Sequence, residues 1–92
     1  MKNLSDLKNV GKAILKDLSL LNIHSVEELA LQDPTVLFHE LERRTNSRQD
    51  PCVWDVFAAI IHEANTKEAT NWWEWTDKRK LLQKKGLFKH VV

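Results

Sequence analysis

Cysteine occurs once, at Cys52, which excludes an intramolecular disulfide framework and fits a reducing compartment. Glycine and proline are scarce as well, two of each in 92 residues, while 42% of the chain is apolar. That balance argues against a Gly/Pro-rich polymer and against disorder. No apolar run approaches the ~20 residues that span a bilayer. The opening Met1-Lys2-Asn3-Leu4-Ser5-Asp6 has no apolar stretch of signal-peptide length. A soluble, cytoplasmic protein with no membrane partner is therefore expected. Strong charge of either sign is also missing, since the net charge is only +1. Its distribution is uneven, however. Residues 77–92 hold six Lys/Arg and one Asp, giving +5, against eight Lys/Arg and twelve Asp/Glu in residues 1–76, giving −4. The chain is an acidic body with a basic tail.

What is present is helical periodicity, organised around Leu7–Leu31. Leu4 and Leu7 allow one turn of helix before a sharp turn at residues 8–11. There Asn9 tolerates a left-handed conformation and Gly11 permits one freely. Ile14, Leu15, Leu18 and Leu21 then follow a helical period, and Asn22 is placed to end that helix at C′. Ser25 with Glu28 reads as a capping box for a second short helix, with Val26, Leu29 and Ala30 facing inward. Asp33-Pro34 starts a third, burying Leu37, Phe38 and Leu41 and leaving Glu40, Glu42, Arg43 and Arg44 wet. After a polar loop, Asp50-Pro51 opens the clearest helix, with Val53, Val56, Phe57, Ile60, Ile61 and Ala64 on one stripe. A polar link leads to Trp72-Trp73-Glu74-Trp75. Thr76-Asp77 then reads as the cap of a basic helix, Lys78 to Lys85, stopped by Gly86. No useful length of β alternation occurs. The expectation is an all-α, compact helix-hairpin-helix (SAM-like) bundle of about five helices plus a basic C-terminal helix. It forms one domain over residues 1–92, with a hairpin core at 4–45, a core helix at 50–65, and a Trp-rich segment and tail at 71–92.

Chemistry has three candidate locations. A glycine turn at a helix start frees backbone amides that, with the helix dipole, hold a phosphate oxygen. Lys8, Asn9, Val10, Gly11, Lys12 and Lys16 form that set, against the alternative that Gly11 only closes an interhelical turn. The second location is Trp72, Trp73 and Trp75. Their rings suit stacking on single-stranded bases, a protein partner, or capping of the helical core. The third is the tail, where Lys78, Arg79 and Lys80 lead a basic helix that would bind phosphates with strong salt dependence. Catalytic and metal chemistry are not expected. His24, His39, His62 and His90 are scattered, none makes a zinc spacing with Cys52, and no P-loop, dinucleotide fingerprint or activated nucleophile occurs. No cofactor is implied.

The residues also carry a family resemblance. Leu7-Lys8-Asn9-Val10-Gly11-Lys12-Ala13, Asp17-Leu18, Leu21-Asn22-Ile23-His24-Ser25, Glu28-Leu29-Ala30 and Asp33-Pro34 resemble the small bacterial pathogenicity-locus, or mitomycin-resistance, proteins. So do Asp50-Pro51-Cys52-Val53, Asp55-Val56-Phe57, Ala64-Asn65, Trp72-Trp73, Trp75-Thr76 and Arg79-Lys80, which brings the resemblance to about residues 4–80. The first half is also similar to the C-terminal domain of TfoX-type competence regulators. The resemblance implies a helix-hairpin-helix fold and a link to DNA or its damage. Two positions depart from strong DNA-binding hairpins, where glycines are usual: Asn9 and Asn22. A non-enzymatic, sequence-tolerant nucleic-acid-binding module is the leading expectation. A protein-interaction module or homo-oligomer using the tryptophans and the basic helix is the alternative.

Overall fold

A computed structural model describes residues 2–92. It contains five α-helices: α1 (Lys12–Leu20), α2 (Val26–Ala30), α3 (Pro34–Thr45), α4 (Cys52–Thr66) and α5 (Thr76–Lys84). Two short 3-10 turns, Leu4–Asp6 and Trp72–Trp75, precede α1 and α5, and no strand occurs among the described residues. The chain is all-α. The basic helix is itself the fifth α-helix, so four precede it. The element before the first turn is a single 3-10 turn, because Leu4–Asp6 is too short to close an α-helical ladder.

Most helix ends follow the local chemistry of the sequence. Asp33 Oδ1 accepts from the Thr35 and Val36 amides, capping α3 behind Pro34. Asp50 Oδ1 accepts from the Cys52 amide at 2.8 Å, serving α4 in the same way. Ser25 Oγ accepts from the Glu28 amide, but Glu28 Oε1 returns to the His24 amide (3.1 Å) and not to that of Ser25. The capping box is thus shifted by one residue. With so little glycine, left-handed helix ends fall mainly to other residues: Asn22, Asn46 and Lys67 take positive φ after α1, α3 and α4, and Gly86 does so after α5. After α1, the Ile23 and Asn22 amides return to the Leu18 and Ser19 carbonyls, which closes a Schellman motif. After α5, Leu87 and Gly86 return to Leu82 and Gln83 in the same pattern.

α4 is the hub, packing against α2, α3, α5 and the second 3-10 turn. Trp54, Phe57, Ala58, Ala59, Ile60 and Ile61 are all buried, so neighbours cover most of its circumference. Of the expected stripe, Phe57, Ile60 and Ile61 are buried while Val53, Val56 and Ala64 are only half-buried, and Trp54, Ala58 and Ala59 widen the buried surface beyond it. Leu18, Leu21 and Ile23 from the α1 region, Leu29 from α2, and Leu37, Phe38 and Leu41 from α3 complete the core. Phe88 joins it from the tail, edge-on to Phe38 at 4.8 Å.

Three acids interrupt this apolar interior, and none is unsatisfied. Glu42, expected on the wet side of α3, is fully buried. Its carboxylate accepts from the Gln49 and Val91 amides (both 2.9 Å) and pairs with His90 Nδ1 at 2.5 Å. The tail covers it, which local periodicity in α3 could not reveal. Asp55 binds Arg79 Nε (2.7 Å) and Thr76 Oγ1 (2.8 Å), so Thr76 anchors α5 to α4 and does not cap it. Glu63 accepts from the Lys8 amide (2.9 Å) and from Lys2 Nζ (3.2 Å).

Two outcomes follow for stability. Asp55→Asn leaves the Arg79 charge buried without its partner and should cost about 3 kcal/mol in urea unfolding, the usual scale for half of a buried pair. For Glu42, burial disfavours the charge, but hydrogen bonds from His90, Val91 and Gln49 outweigh it and hold the pKa below the ordinary glutamate value. A depressed folded-state pKa gives stability that is complete above the unfolded-state pKa and lost as pH falls through the folded one. Wild type should therefore weaken on acidification below the ordinary glutamate value. Glu42→Gln should be weaker at neutral pH and flatter across that acid window, as read from urea melts at stepped pH.

Candidate functional site

The Leu7–Gly11 turn is held from below. Leu7 is buried, its carbonyl accepts from the Val10 amide at 3.3 Å, and half-buried Val10 packs on the core. Glu63 occupies the Lys8 amide, so that donor is closed to a ligand. Asn9, not Gly11, is the left-handed residue, with φ 74°. Its side chain donates to the Thr70 carbonyl at 2.8 Å. Gly11 has φ −103° and ψ −170°, extended backbone that any residue adopts. A Cβ there would meet nothing within 4 Å. The conformation therefore does not require glycine, and the space before the residue is open.

Gly11 is the N-cap of α1 and supplies no side chain to the free amides of the first turn. Open donors thus lie at the start of α1, one step further along than the turn itself. Lys8, Lys12 and Lys16 are exposed around it and, among the described residues, pair with no carboxylate. Lys12 and Lys16 are one helical turn apart and share a side of α1.

Thr70 joins this turn to the tryptophans. Its carbonyl takes the Asn9 amide group, and its hydroxyl takes Trp75 Nε1 at 2.9 Å. Asn71 and Glu74 cap the 3-10 turn, the Asn71 amide donating to Glu74 Oε2. Trp75 is half-buried against the core, 5.2 Å from the His62 ring, and Lys78 Nζ lies 5.5 Å from its ring centre. A cleft of about 360 Å³ opens between His62, Glu68, Thr70, Glu74, Trp75 and Lys78. Trp72 is half-buried and meets Trp73 edge-on at 5.7 Å, while Trp73 is 58% exposed. Trp54, the fourth, is core, its Nε1 bonded to Thr35 Oγ1.

The basic helix contributes less than its composition promises. Arg79 is buried, with Nε and Nη2 on Asp55 and Nη1 on Gln83. The bond to Asp55 raises its pKa, which keeps the guanidinium charged for internal use. It leaves the set of surface cations. Lys78 and Lys80 flank it on opposite sides, about 200° apart around the axis, so they form no single patch. Cys52 lies 3.9 Å from Arg79 Nη2, and burial and the neighbouring Asp50 push its thiol pKa up, away from nucleophilic character. Among the described residues, no three His, Cys, Asp or Glu are placed to hold a metal ion. Among the described residues, no helix is long and apolar enough to cross a membrane.

Sequence reasoning missed Thr70, Glu63 and Asp55. The last two stand on an apolar helix, where an acid that breaks the pattern signals a buried partner. Thr70 carried no signal.

These features define a small all-α protein with exposed lysines around one helix start and an exposed tryptophan on the segment tied to it. The sequence model of the pathogenicity-locus family matches residues 1–81, and the chain belongs to that family. It is also similar to the mitomycin resistance protein McrB of Streptomyces lavendulae, 29% identical over 80 residues, covering 87% of this chain and 76% of that protein. No solved structure matches the chain.

The Asn9 bond sets a prediction. Asn9→Ala combines lost bonding to Thr70 with left-handed strain of about 1–2 kcal/mol. Asn9→Gly loses the bond but relieves the strain. Thermal melts should rank wild type above Asn9→Ala, with Asn9→Gly clearly more stable than Asn9→Ala.

Proposed function

We propose that the chain is a cytoplasmic, non-enzymatic module that binds nucleic-acid backbone with little sequence preference. In this reading the Leu7–Gly11 turn and α1 act as a helix-hairpin-helix element. The observation that carries it is the uncapped, open start of α1 at Gly11, with Lys8, Lys12 and Lys16 around it. A phosphate at a helix start gains from free amides and the dipole together, and the lysines serve neighbouring phosphates. Asn9 and Thr70 fix this site to the Trp72–Trp75 segment, so exposed Trp73 offers a stacking face on the same body. Lys78 and Lys80 extend the field, without Arg79. The relative's name supports a role in mitomycin resistance, and in this reading that role is a response to DNA damage.

A second reading is a protein-interaction module using Trp72, Trp73 and Trp75. The exposure of Trp73 favours it, because a large aromatic left in water is a common anchor at protein interfaces.

Fluorescence anisotropy with labelled single- and double-stranded DNA at low salt separates these. Binding through Lys8, Lys12 and Lys16 should weaken with salt at a logarithmic slope of about −2 to −3. Lys12→Glu should reduce affinity about tenfold. Gly11→Val should stay folded with a modestly lower melting temperature, since a Cβ there meets open space but valine caps a helix less well than glycine, and it should bind more weakly because it fills the approach to the amides. Unchanged binding by both variants would sink the hairpin reading.

A further inference from the structure

The cleft beside Trp75 has no part in the reading above. Its volume of about 360 Å³ falls at the small end of the ~300–1,000 Å³ usual for small-ligand sites. Two rings wall it, half-buried Trp75 and the His62 imidazole 5.2 Å away. Two carboxylates line it as well, one from the polar link and one from the 3-10 turn. Glu68 Oε1 takes His62 Nε2 at 2.8 Å, and Glu74 Oε2 takes the Asn71 amide at 2.6 Å. The second oxygen of each has no partner among the described residues, and both side chains are exposed. Thr70 adds a third side, its hydroxyl holding Trp75 Nε1 and its carbonyl holding the Asn9 side chain. Lys78 Nζ stands over the Trp75 ring, 5.5 Å from its centre, and pairs with no carboxylate among the described residues.

Carboxylates beside an aromatic ring hinder a surface that meets only phosphates, because they repel them. They become useful where the incoming group is itself a ring that carries hydrogen-bond donors, since an ionised carboxylate only accepts. Adenine, cytosine and guanine bear an exocyclic amine that donates. Thymine and uracil instead flank their ring N–H with carbonyl oxygens, which a carboxylate repels. We infer that this cleft takes one unstacked, amino-bearing base of a single strand. The base lies against Trp75, its amine meets Glu68 and Glu74, and Lys78 leaves the ring face for the phosphate of the same nucleotide. The Asn9–Thr70 bond sets the cleft next to the Leu7–Gly11 turn, so a strand held by its phosphates at α1 has a base to offer there. The inference rests on the nucleic-acid reading and adds to it a preference for single strands and against thymine. In a duplex the amine is engaged by the pairing base and the ring faces by the stack, so paired DNA gains nothing from the cleft.

Fluorescence anisotropy at neutral pH and low salt tests it, with labelled oligo-dC and oligo-dT, each alone and paired with its complement. Wild type should bind single-stranded oligo-dC about fivefold more tightly than oligo-dT, the scale of one well-made base contact. Glu68→Ala removes an acceptor together with a negative charge. The lost charge alone would tighten both strands equally. The base contact requires instead that oligo-dC lose its advantage, while binding of oligo-dT and of the duplexes holds steady or strengthens. Glu68 is exposed, so the variant should keep the wild-type circular dichroism. Lys12→Glu should weaken oligo-dC and oligo-dT alike and leave their ratio unchanged, which separates the cleft from the hairpin. Equal affinity of wild type for the two single strands overturns the inference, and so does a ratio that Glu68→Ala leaves unchanged. If Lys12→Glu still weakens both strands in that case, the backbone reading survives without the cleft. Absence of binding to every probe overturns both.

Discussion

Three carboxylates inside an apolar core hold the ends of this molecule in place. Glu63 reaches the Lys8 amide across 55 positions of sequence, Asp55 reaches Arg79 across 24, and Glu42 reaches Val91 across 49. Each carboxylate lies where water cannot solvate it, so the protein must supply its donors. No buried side-chain nitrogen or oxygen is left without a partner among the described residues. Dry acids thereby act as fixed points. The leading turn, the basic helix and the tail each add apolar residues to the core, and each is also fastened by one of the three.

The same interactions divide the surface into what is available and what is spent. Glu63 takes the Lys8 amide, which moves the open donors to Gly11 and the first turn of α1. Asp55 takes Arg79 and leaves α5 with lysines on diverging sides. Glu42, with Phe88 seated against Phe38, lays the tail along α3 and the start of α4. Charge counted along the chain overstates the cationic surface, because a cation paired inside contributes nothing to an approaching polyanion. Lys8, Lys12 and Lys16 remain exposed around one helix start, and Trp73 remains exposed on the segment that the Asn9–Thr70 bond ties to the turn.

Much of the architecture was legible because it rests on nearest neighbours in sequence. Asp33-Pro34 and Asp50-Pro51 start helices because a side-chain oxygen two or three residues upstream meets the free amides there. Asn22 ends α1 because asparagine accepts a left-handed backbone, and Gly86 ends α5 for the same reason. The candidate site was less legible. Asn9 and Gly11 both suit the left-handed position by residue type, yet only Asn9 takes it, and Gly11 leaves space. Periodicity alone set Glu42 on the wet side of α3, since nothing near it in sequence shows that residues 90 and 91 return to cover it. Thr70 looked like one more polar linker residue.

The sequence by itself determined the helices, their limits and the all-α class, since capping, turn conformation and apolar period act over a few residues and are written there. It also fixed the separation of charge between body and tail. Only the tertiary structure decided which charges are free, which amides are open, and that the Asn9 turn and the tryptophans share one side of the molecule. Those facts depend on pairs tens of residues apart, Lys8 with Glu63, Asn9 with Thr70 and Asp55 with Arg79. Their distances are set by how α4 packs against everything else, and no local pattern encodes them.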